Sequence, residues 1–443
     1  MRPLRCLILG AAGRDFHDFL TFLRERPQLR VICFTAEQIP FIDARTFPAS
    51  LAGPHYPEGI PIEPESELPR LIREHDVDYV FLSYSDLAHE EVMHKASIVQ
   101  AAGASFALLG PKHTQLVSRR PVVSVTAART GSGKSPISQA IARRLADRGV
   151  RAAVLRHPMP YGDLARQAVQ RFATPADLDV HECTIEEREE YEPYLEMGLV
   201  IWAGVDYRSI LAAAEEEADL ILWDGGNNDT SFVRADLSIV VLDALRPGHE
   251  TRYYPGETNL RVADVLVLSK VAQATPEALA ALHATAARAN PDAVVVEADL
   301  EVHATPAEAI RGRRVLVVED GPTITHGGMP SGAGLLAARA GGAAEILDPR
   351  PFAVGTIAEA YAKFDHIGPV LPALGYSDAQ RHELEQTIAR AKPDAVVDGS
   401  PARLDRLLDL EAVPIVQVGY RFAQRSGPDL FAAVDRLLES GSA

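Results

Sequence analysis

Short apolar runs alternate with helical patterns along most of the chain. Apolar runs typical of buried parallel strands lie at 4–9, 79–83, 122–126, 152–155, 220–223, 237–242, 265–269 and 315–318. Between two of them, apolar residues at 16, 19, 20 and 23 predict a helix with Asp15 as its N-cap. A second apolar stripe, at 137, 141 and 145, predicts a helix that ends at Gly149. Strands alternating with helices predict an α/β protein with parallel sheets.

Breaks in this pattern predict the domain organisation. A Gly-Pro turn at 110–111 and the Arg-Arg-Pro sequence at 119–121 separate a Rossmann-like N-terminal domain, 1–118, from the remainder. Residues 119–443 are predicted to form a doubly wound P-loop NTPase domain. Its last part, from about 321 to 443, follows a glycine-rich segment and is predicted to be a C-terminal α/β extension.

The clearest chemical motif is ARTGSGKS at 128–135, between an apolar strand and an amphipathic helix. It matches the P-loop pattern except that Ala128 replaces the first glycine, which costs little if that residue keeps a negative φ. The loop predicts backbone N–H groups around phosphate oxygens. The residues predicted to bind the nucleotide are Thr130, Gly131, Ser132, Gly133, Lys134 and Ser135.

A second polar segment, WDGGNND at 223–229, also follows an apolar strand. Asp224 stands where P-loop proteins hold Mg²⁺, with the Ser135 hydroxyl as the second predicted metal ligand. Lys134 and Arg129 are predicted catalytic cations, and Asn227 could position a nucleophile. For the polar residues after Asp224, a simple turn at the end of a strand is an equally good interpretation.

Net charge limits the partners of the protein. The formal charge is −17, and 47% of the residues are hydrophobic, which excludes wholesale disorder and disfavours nucleic-acid or anionic-membrane binding. Three scattered cysteines do not suggest a disulfide framework. With neither a signal-peptide pattern nor a long apolar run, we expect a cytoplasmic protein. A homodimer is the assembly to test.

Several long segments together resemble the cyclic 2,3-diphosphoglycerate synthetase family. They are the P-loop and the blocks at 184–211, 223–232, 244–270 and 319–334, with LGAAGRDFHDF at 9–19 also similar. The resemblance implies an enzyme that uses ATP and Mg²⁺ to close an intramolecular phosphoanhydride in 2,3-diphosphoglycerate, releasing ADP and phosphate. The P-loop region is also similar to the class that holds nucleotide-dependent metallochaperones and dethiobiotin synthetase.

A small polyanionic substrate requires local cations, preferably arginines, which bind phosphate in a bidentate manner. The predicted substrate-binding residues lie at strand ends or in glycine loops: Arg14, Arg156, His157, Arg246, His249 and His326. Taken singly, Arg156, His157, Arg246 and His249 fit a surface or interdomain salt bridge better than a ligand. A tight turn is an equally good interpretation for Arg14, and His326 could instead cap a turn. Lys270 is predicted to contact the nucleotide base. Because Ala272 stands where guanine-specific relatives carry a carboxylate, the sequence favours ATP over GTP.

These observations predict an ATP-dependent ligase. Three alternatives stay open: a nucleotide-hydrolysing switch or metallochaperone, a regulator that uses ATP only to set its conformation, and an ATP-dependent enzyme acting on another small polyanion. The broken guanine motif and the lack of a His/Cys cluster disfavour the metallochaperone.

Overall fold

A computed structural model describes residues 2–11, 13–37, 45–157, 162–226, 228–325, 329–374, 377–400, 403–410 and 413–440. The chain forms two compact units. The first comprises Met1–Glu182, Tyr191–Asp299 and Gln424–Ala443, and the second comprises Cys183–Glu190 and Leu300–Ala423. Two of the predictions, Asn227 and His326, lie outside the described residues.

The first unit begins with a sheet built from strands that all precede residue 118. In the order β3-β4-β2-β1-β5-β7, they are β1 (Leu4–Leu9), β2 (Leu29–Ala36), β3 (Thr46–Phe47), β4 (Ile60–Pro64), β5 (Tyr79–Leu82) and β7 (Ser105–Leu108). The pairs are parallel except that β3 is antiparallel to β4. The helices of this part are α1 (Arg14–Asp18), α2 (Ala49–Ala52), α3 (Leu68–Glu74), α4 (His89–Ala102) and α5 (Pro111–Thr114).

The second sheet of this unit has the P-loop strand near its centre. Its strands, in the order β10-β11-β9-β12-β8-β13-β15-β16, are β8 (Val122–Ala127), β9 (Ala152–Arg156), β10 (Gln170–Phe172), β11 (Val200–Ala203), β12 (Leu220–Asp224), β13 (Leu237–Asp243), β15 (Val265–Ser269) and β16 (Val294–Thr305). β10 is antiparallel to β11, whereas the pairs from β11 to β16 are parallel. Two short strands, β6 (Leu87–Ala88) and β14 (Tyr253–Tyr254), pair with each other.

The helices around the second sheet include the one that follows the P-loop. They are α6 (Lys134–Asp147), α7 (Pro175–Val180), α8 (Ile185–Leu195), α9 (Tyr207–Glu217), α10 (Gly256–Val262), α11 (Pro276–Ala289) and α17 (Leu430–Ser440). The apolar stripe predicted for α6 is confirmed, since Ile137, Ile141 and Leu145 are fully buried. Gly149, with a φ of 70°, lies just after the end of this helix, as expected.

The second unit contains a further group of parallel strands. Their order is β21-β20-β17-β18, with β19 also paired to β17; the strands are β17 (Arg314–Asp320), β18 (Glu345–Ile346), β19 (Leu371–Ala373), β20 (Ala395–Gly399) and β21 (Ile415–Ser426). Its helices are α12 (Gly321–Ile324), α13 (Ala333–Ala340), α14 (Gly355–Lys363), α15 (Asp378–Ala391) and α16 (Leu404–Leu407).

The α/β class with parallel sheets is confirmed, and each apolar run predicted as a strand forms one. The boundary at residue 118 and the Rossmann-like assignment of 1–118 stay predictions. The N-cap prediction is wrong: α1 begins at Arg14 after Gly13, so Asp15 lies within the first turn. There its Oδ1 accepts hydrogen bonds from the N–H groups of Gly13 (3.1 Å) and Phe16 (2.7 Å), which explains why a carboxylate is favourable inside the turn.

Candidate functional site

The P-loop connects β8 to α6 in the expected conformation. Gly131 and Gly133 have φ values of 78° and 93°, where a side chain would be strained. Ala128 does not adopt a positive φ, so alanine is tolerated at that position. The loop is also closely packed, because a Cβ added to Gly256 would lie 1.9 Å from the Ala128 carbonyl oxygen.

Three consecutive carbonyl groups of the loop are held by side chains from β13 and β15 and the loops that follow them. Arg246 donates to the Thr130 oxygen at 2.8 Å, and Lys270 donates to the Gly131 oxygen at 2.8 Å. Ser269, at the end of β15, donates to the Ser132 oxygen at 2.6 Å. We call Arg246, Lys270 and Ser269 the loop clamp.

Asp243, at the end of β13, holds both cations of the loop clamp. Its carboxylate accepts from Arg246 at 2.8 Å and from Lys270 at 2.8 Å. Burial alone would raise the pKa of Asp243, but Lys270 and Arg246 hold it below its usual value. Arg246 and Lys270, predicted to contact the substrate and the base, therefore contact the P-loop backbone in this structure.

Asp224 ends β12 and is fully buried beside the P-loop helix. Oδ1 accepts from Lys134 and from Ser138 at 2.9 Å, while Oδ2 accepts from Arg156 and from the Tyr194 hydroxyl. Although burial raises the pKa of this carboxyl, Arg156 and Lys134 hold it well below the usual range. Asp224 is therefore a carboxylate that fixes two cations in place.

This arrangement limits direct metal binding. A carboxylate has about four lone-pair positions, and the four donors occupy those of Asp224. For Asp224 to bind a metal ion directly, a donor such as Lys134 would have to move. The metal role of Asp224 therefore stays a prediction. The second predicted ligand, Ser135, is exposed at the start of α6. Within the described part of the chain, no group of three or more His, Cys, Asp or Glu residues could hold a metal ion.

Two ion pairs connect the carboxyl edge of the first sheet to the P-loop side. Arg14 of α1 donates to the buried carboxylate of Asp229 and to the Thr230 carbonyl oxygen at 2.5 Å. Arg129 of the P-loop pairs with Asp86, which follows β5. The Arg129 guanidinium also lies 3.8 Å from the centroid of the Tyr253 ring, a cation–π contact.

Three histidines were predicted to bind the substrate, and the two that the structure describes, His157 and His249, lie near these groups. His157 follows β9, and its Nε2 is 3.1 Å from the Asp229 carboxylate. The ring centroids of His249 and Tyr253 are 5.2 Å apart, and the buried Nδ1 of His249 has no hydrogen-bond partner among the described residues. Burial, followed by the charge of Arg246, lowers the pKa of His249. The described site residues therefore collect at the carboxyl ends of the parallel strands, as α/β proteins commonly arrange them.

The sequence did not reveal several members of this site. Tyr194 comes from α8, a segment rich in glutamate, and nothing local links it to Asp224. Asp243 lies within an ordinary strand pattern. Ser138 was detectable in principle, because it lies one turn after Lys134 on the same face of α6.

The strand, glycine loop and helix, with a buried aspartate on the neighbouring strand, define a P-loop α/β protein. Over 426 residues, the chain is 54% identical to the arginine synthetase ArcE of Thermococcus kodakarensis, covering 96% of this chain and 95% of that protein. The chain therefore belongs to the family of this synthetase, which is the cyclic 2,3-diphosphoglycerate synthetase-like family indicated by the sequence motifs.

Other similarities are more local or more distant. A tetraacyldisaccharide 4'-kinase of Anaeromyxobacter sp. is 32% identical over 219 residues, covering 45% of this chain and 57% of the kinase. The structure of LpxK from Aquifex aeolicus in complex with ATP has a TM-score of 0.44 and 12% identity, covering 80% of this chain and 95% of that chain. No protein-family model matches the chain. Across the residues that are described, none of the helices is long and apolar enough to cross a membrane.

Proposed function

We propose that this protein is a cytoplasmic ATP-dependent synthetase that produces arginine. The observation that carries the proposal is the 54% identity to an arginine synthetase over nearly the whole of both chains. A P-loop next to a buried aspartate supports cleavage of the β–γ bond of ATP as the energy source. The predicted companion of ATP is Mg²⁺, and Ser135 is the exposed hydroxyl available to it.

Arginine differs from citrulline in having a nitrogen in place of the ureido oxygen. In the simplest balanced reaction, that oxygen accepts the γ-phosphoryl group of ATP and ADP leaves. Ammonia then forms a C–N bond at the same carbon, and the C–O bond breaks with its electron pair on phosphate. Citrulline, ammonium and ATP thus give arginine, ADP, phosphate and one proton.

The charges around the site support an amino-acid substrate over a polyanion. Each arginine predicted to bind the polyanion is already paired with a buried aspartate: Arg14 with Asp229, Arg156 with Asp224, and Arg246 with Asp243. A diphosphorylated acid carries about four to five negative charges at neutral pH. A site whose arginines are neutralised in this way has little positive charge left to balance them once ATP is bound.

Closure of a phosphoanhydride in 2,3-diphosphoglycerate is the second candidate function. It is favoured by the long motifs at 223–232 and 319–334, which resemble the synthetase of that compound. In this reaction ATP would phosphorylate one phosphate of the substrate, and its neighbour would displace the new phosphoryl group. The cations would have to leave their aspartates to bind the substrate.

One experiment separates the two candidates. Purified protein is incubated with ATP, Mg²⁺ and either citrulline with ¹⁵N-ammonium or 2,3-diphosphoglycerate. We expect ¹⁵N-labelled arginine by mass spectrometry, and ADP formation that depends on citrulline. A new phosphoanhydride resonance in the ³¹P NMR spectrum, without labelled arginine, would establish the second candidate. ADP formation that requires neither acceptor would instead support the nucleotide-hydrolysing switch.

A further inference from the structure

Tyr194 lies at the end of α8 and donates its hydroxyl hydrogen to Oδ2 of Asp224. Its side chain is buried, although the segment around it is rich in glutamate. A phenol is protonated at neutral pH and an ionised carboxylate can only accept, so the direction of this hydrogen bond is fixed. Tyr194 therefore contacts the buried aspartate through a specific group and does not merely fill the core beside it.

The turn that ends α8 fixes the backbone of Tyr194. Its carbonyl oxygen accepts from the N–H groups of Met197 and Leu199, both at 3.1 Å. Between these two residues, Gly198 has a φ of 73°, the left-handed conformation with which helices commonly end. β11 begins directly after this turn and is parallel to β9, which is the neighbour of β12. The tyrosine side chain therefore starts from a backbone that is tied to the sheet carrying the buried aspartate.

The four donors to Asp224 divide between its two oxygens. Tyr194 and Arg156 donate to Oδ2. Lys134 and Ser138, both from the helix that follows the P-loop, donate to Oδ1, Ser138 at 2.9 Å. Rotation of the carboxyl group about its Cβ–Cγ bond would move both oxygens together. A partner that holds Oδ2 therefore also sets where Oδ1 meets the ammonium group of Lys134.

The two donors to Oδ2 differ in what they contribute. The guanidinium of Arg156 attracts the carboxylate through its charge, which acts over a broad range of directions. The neutral hydroxyl of Tyr194 contributes through a single hydrogen bond, whose strength depends steeply on its angle. Removing that hydroxyl leaves every charge of the cluster unchanged and takes away one directional support of the carboxylate.

We propose that Tyr194 is a positioning residue for ATP cleavage: its hydroxyl orients the carboxylate of Asp224 and, through it, the ammonium group of Lys134. The inference rests on the proposed ATP-dependent synthesis. In that reaction the P-loop lysine stabilises the charge of the transferred γ-phosphoryl group, and such stabilisation depends on groups that are already in place. The backbone N–H groups of the loop bind phosphate without Tyr194, so its loss should lower kcat more than it raises KM for ATP.

Tyr194→Phe tests the role, because it removes the hydroxyl and keeps the ring. For ADP formation that depends on citrulline, we expect kcat to fall about tenfold to a hundredfold, the order of magnitude measured for hydrogen-bond partners of metal-binding side chains. KM for ATP should change by less than about threefold, because the loop backbone still holds the phosphates. Tyr56→Phe is the matched control and should keep the wild-type kcat: Tyr56 is also buried, and its hydroxyl accepts from the Val31 N–H at 3.1 Å near the start of β2.

A double-mutant cycle shows whether Tyr194 acts through Asp224. An asparagine amide has one acceptor oxygen, so Asp224→Asn cannot accept on both sides and breaks the connection from Tyr194 to Lys134. In that background, Tyr194→Phe should change kcat by less than about twofold. If Asp224→Asn turns over too slowly to measure, Ser138→Ala replaces it. The loss in the Tyr194→Phe, Ser138→Ala double variant should then differ from the product of the single losses by about threefold or more, because both residues hold one carboxyl group.

The outcomes distinguish this inference from the proposed function. If the wild type forms ADP only with another acceptor, arginine synthesis fails, and the same kcat loss is expected for Tyr194→Phe in that reaction. If it forms no ADP at all, both fail together. If the wild type is active and Tyr194→Phe keeps its kcat, or if the losses in the cycle are simply multiplicative, Tyr194 is not a positioning residue. If the phenylalanine variant does not fold, Tyr194→Met also lacks the hydroxyl and provides the same comparison.

Discussion

Replacing Lys270 with methionine is expected to weaken nucleotide binding through the P-loop and not through the base. The substitution removes the 2.8 Å bond to the Gly131 carbonyl and the 2.8 Å bond to Asp243. The stem of the side chain, which is only 20% exposed, is largely kept by methionine. The phosphate-binding loop loses one of its three side-chain supports.

The structure allows the size of the effect to be worked out. Hydrogen bonds from charged donors contribute about 1.5 to 3 kcal/mol. Gly131 is exposed, so water replaces part of the lost bond and the lower end applies, which corresponds to about a tenfold increase in Kd. Ser269→Ala should raise the Kd further than Lys270→Met does. The carbonyl of buried Ser132 then loses a 2.6 Å hydrogen bond at a place that water does not reach easily.

Calorimetric titration with ATP, GTP and inorganic tripolyphosphate checks the reasoning. If the loop clamp shapes the phosphate-binding loop, Lys270→Met should lose the same factor of affinity for all three ligands. Lys270→Arg should restore part of it, and Lys112→Met, at an exposed position, should have no effect. A change confined to ATP and GTP, with tripolyphosphate affinity intact, would refute the clamp and restore the sequence prediction that Lys270 contacts the base.

Other substitutions test the remaining parts of the site. Lys134→Ala should abolish nucleotide turnover while circular dichroism stays native, because Arg156 remains to pair with Asp224; retained turnover would exclude the P-loop assignment. Gly256→Ala should displace the P-loop and lower ATP affinity by tenfold or more, whereas Gly110→Ala, with open space around it, should leave affinity unchanged. Burial, opposed by Arg14, raises the pKa of Asp18 to about 7, so the folded state binds the proton more tightly than the unfolded state and loses stability as pH rises toward 7. The free energy of unfolding of Asp18→Asn, measured in urea relative to that of the wild type, should therefore rise by about 3 kcal/mol between pH 5 and pH 8. A difference between the two proteins that does not change with pH would contradict this.

The sequence predicted features whose cause is local. The strand before the P-loop, the positive φ of Gly131 and Gly133, and the buried stripe of α6 each depend on neighbouring residues and on helical periodicity. The N-cap prediction failed for a similarly local reason. Gly13 and Asp15 are both compatible with the start of a helix, and the hydrogen bonds of Asp15 inside the first turn decided between them.

The partners of the charged residues could not be predicted, because they come from segments that are distant in sequence. Tyr194 and Lys134 reach Asp224 from separate helices, and Arg14 reaches Asp229 from α1, which follows the first strand of the first sheet. The sequence indicated which cations matter at strand ends but not that each has a carboxylate beside it. The observed arginine–aspartate pairs favour a less charged substrate over the polyanion that the sequence predicted. An arginine neutralised by a carboxylate positions neighbouring groups more readily than it binds a polyanion.

The same pairing explains how a chain of formal charge −17 can bind ATP. In a trans peptide the C=O and N–H groups point in opposite directions, so holding the carbonyls of Thr130 and Ser132 from one side directs the N–H groups of Gly131 and Gly133 to the other. Phosphate then meets backbone dipoles and the start of α6, which do not depend on net charge. Asp243 contributes by fixing the cations that hold the loop, so a carboxylate near the phosphate site favours binding instead of opposing it. Removing that carboxylate should therefore weaken ATP binding even though it makes the site more positive.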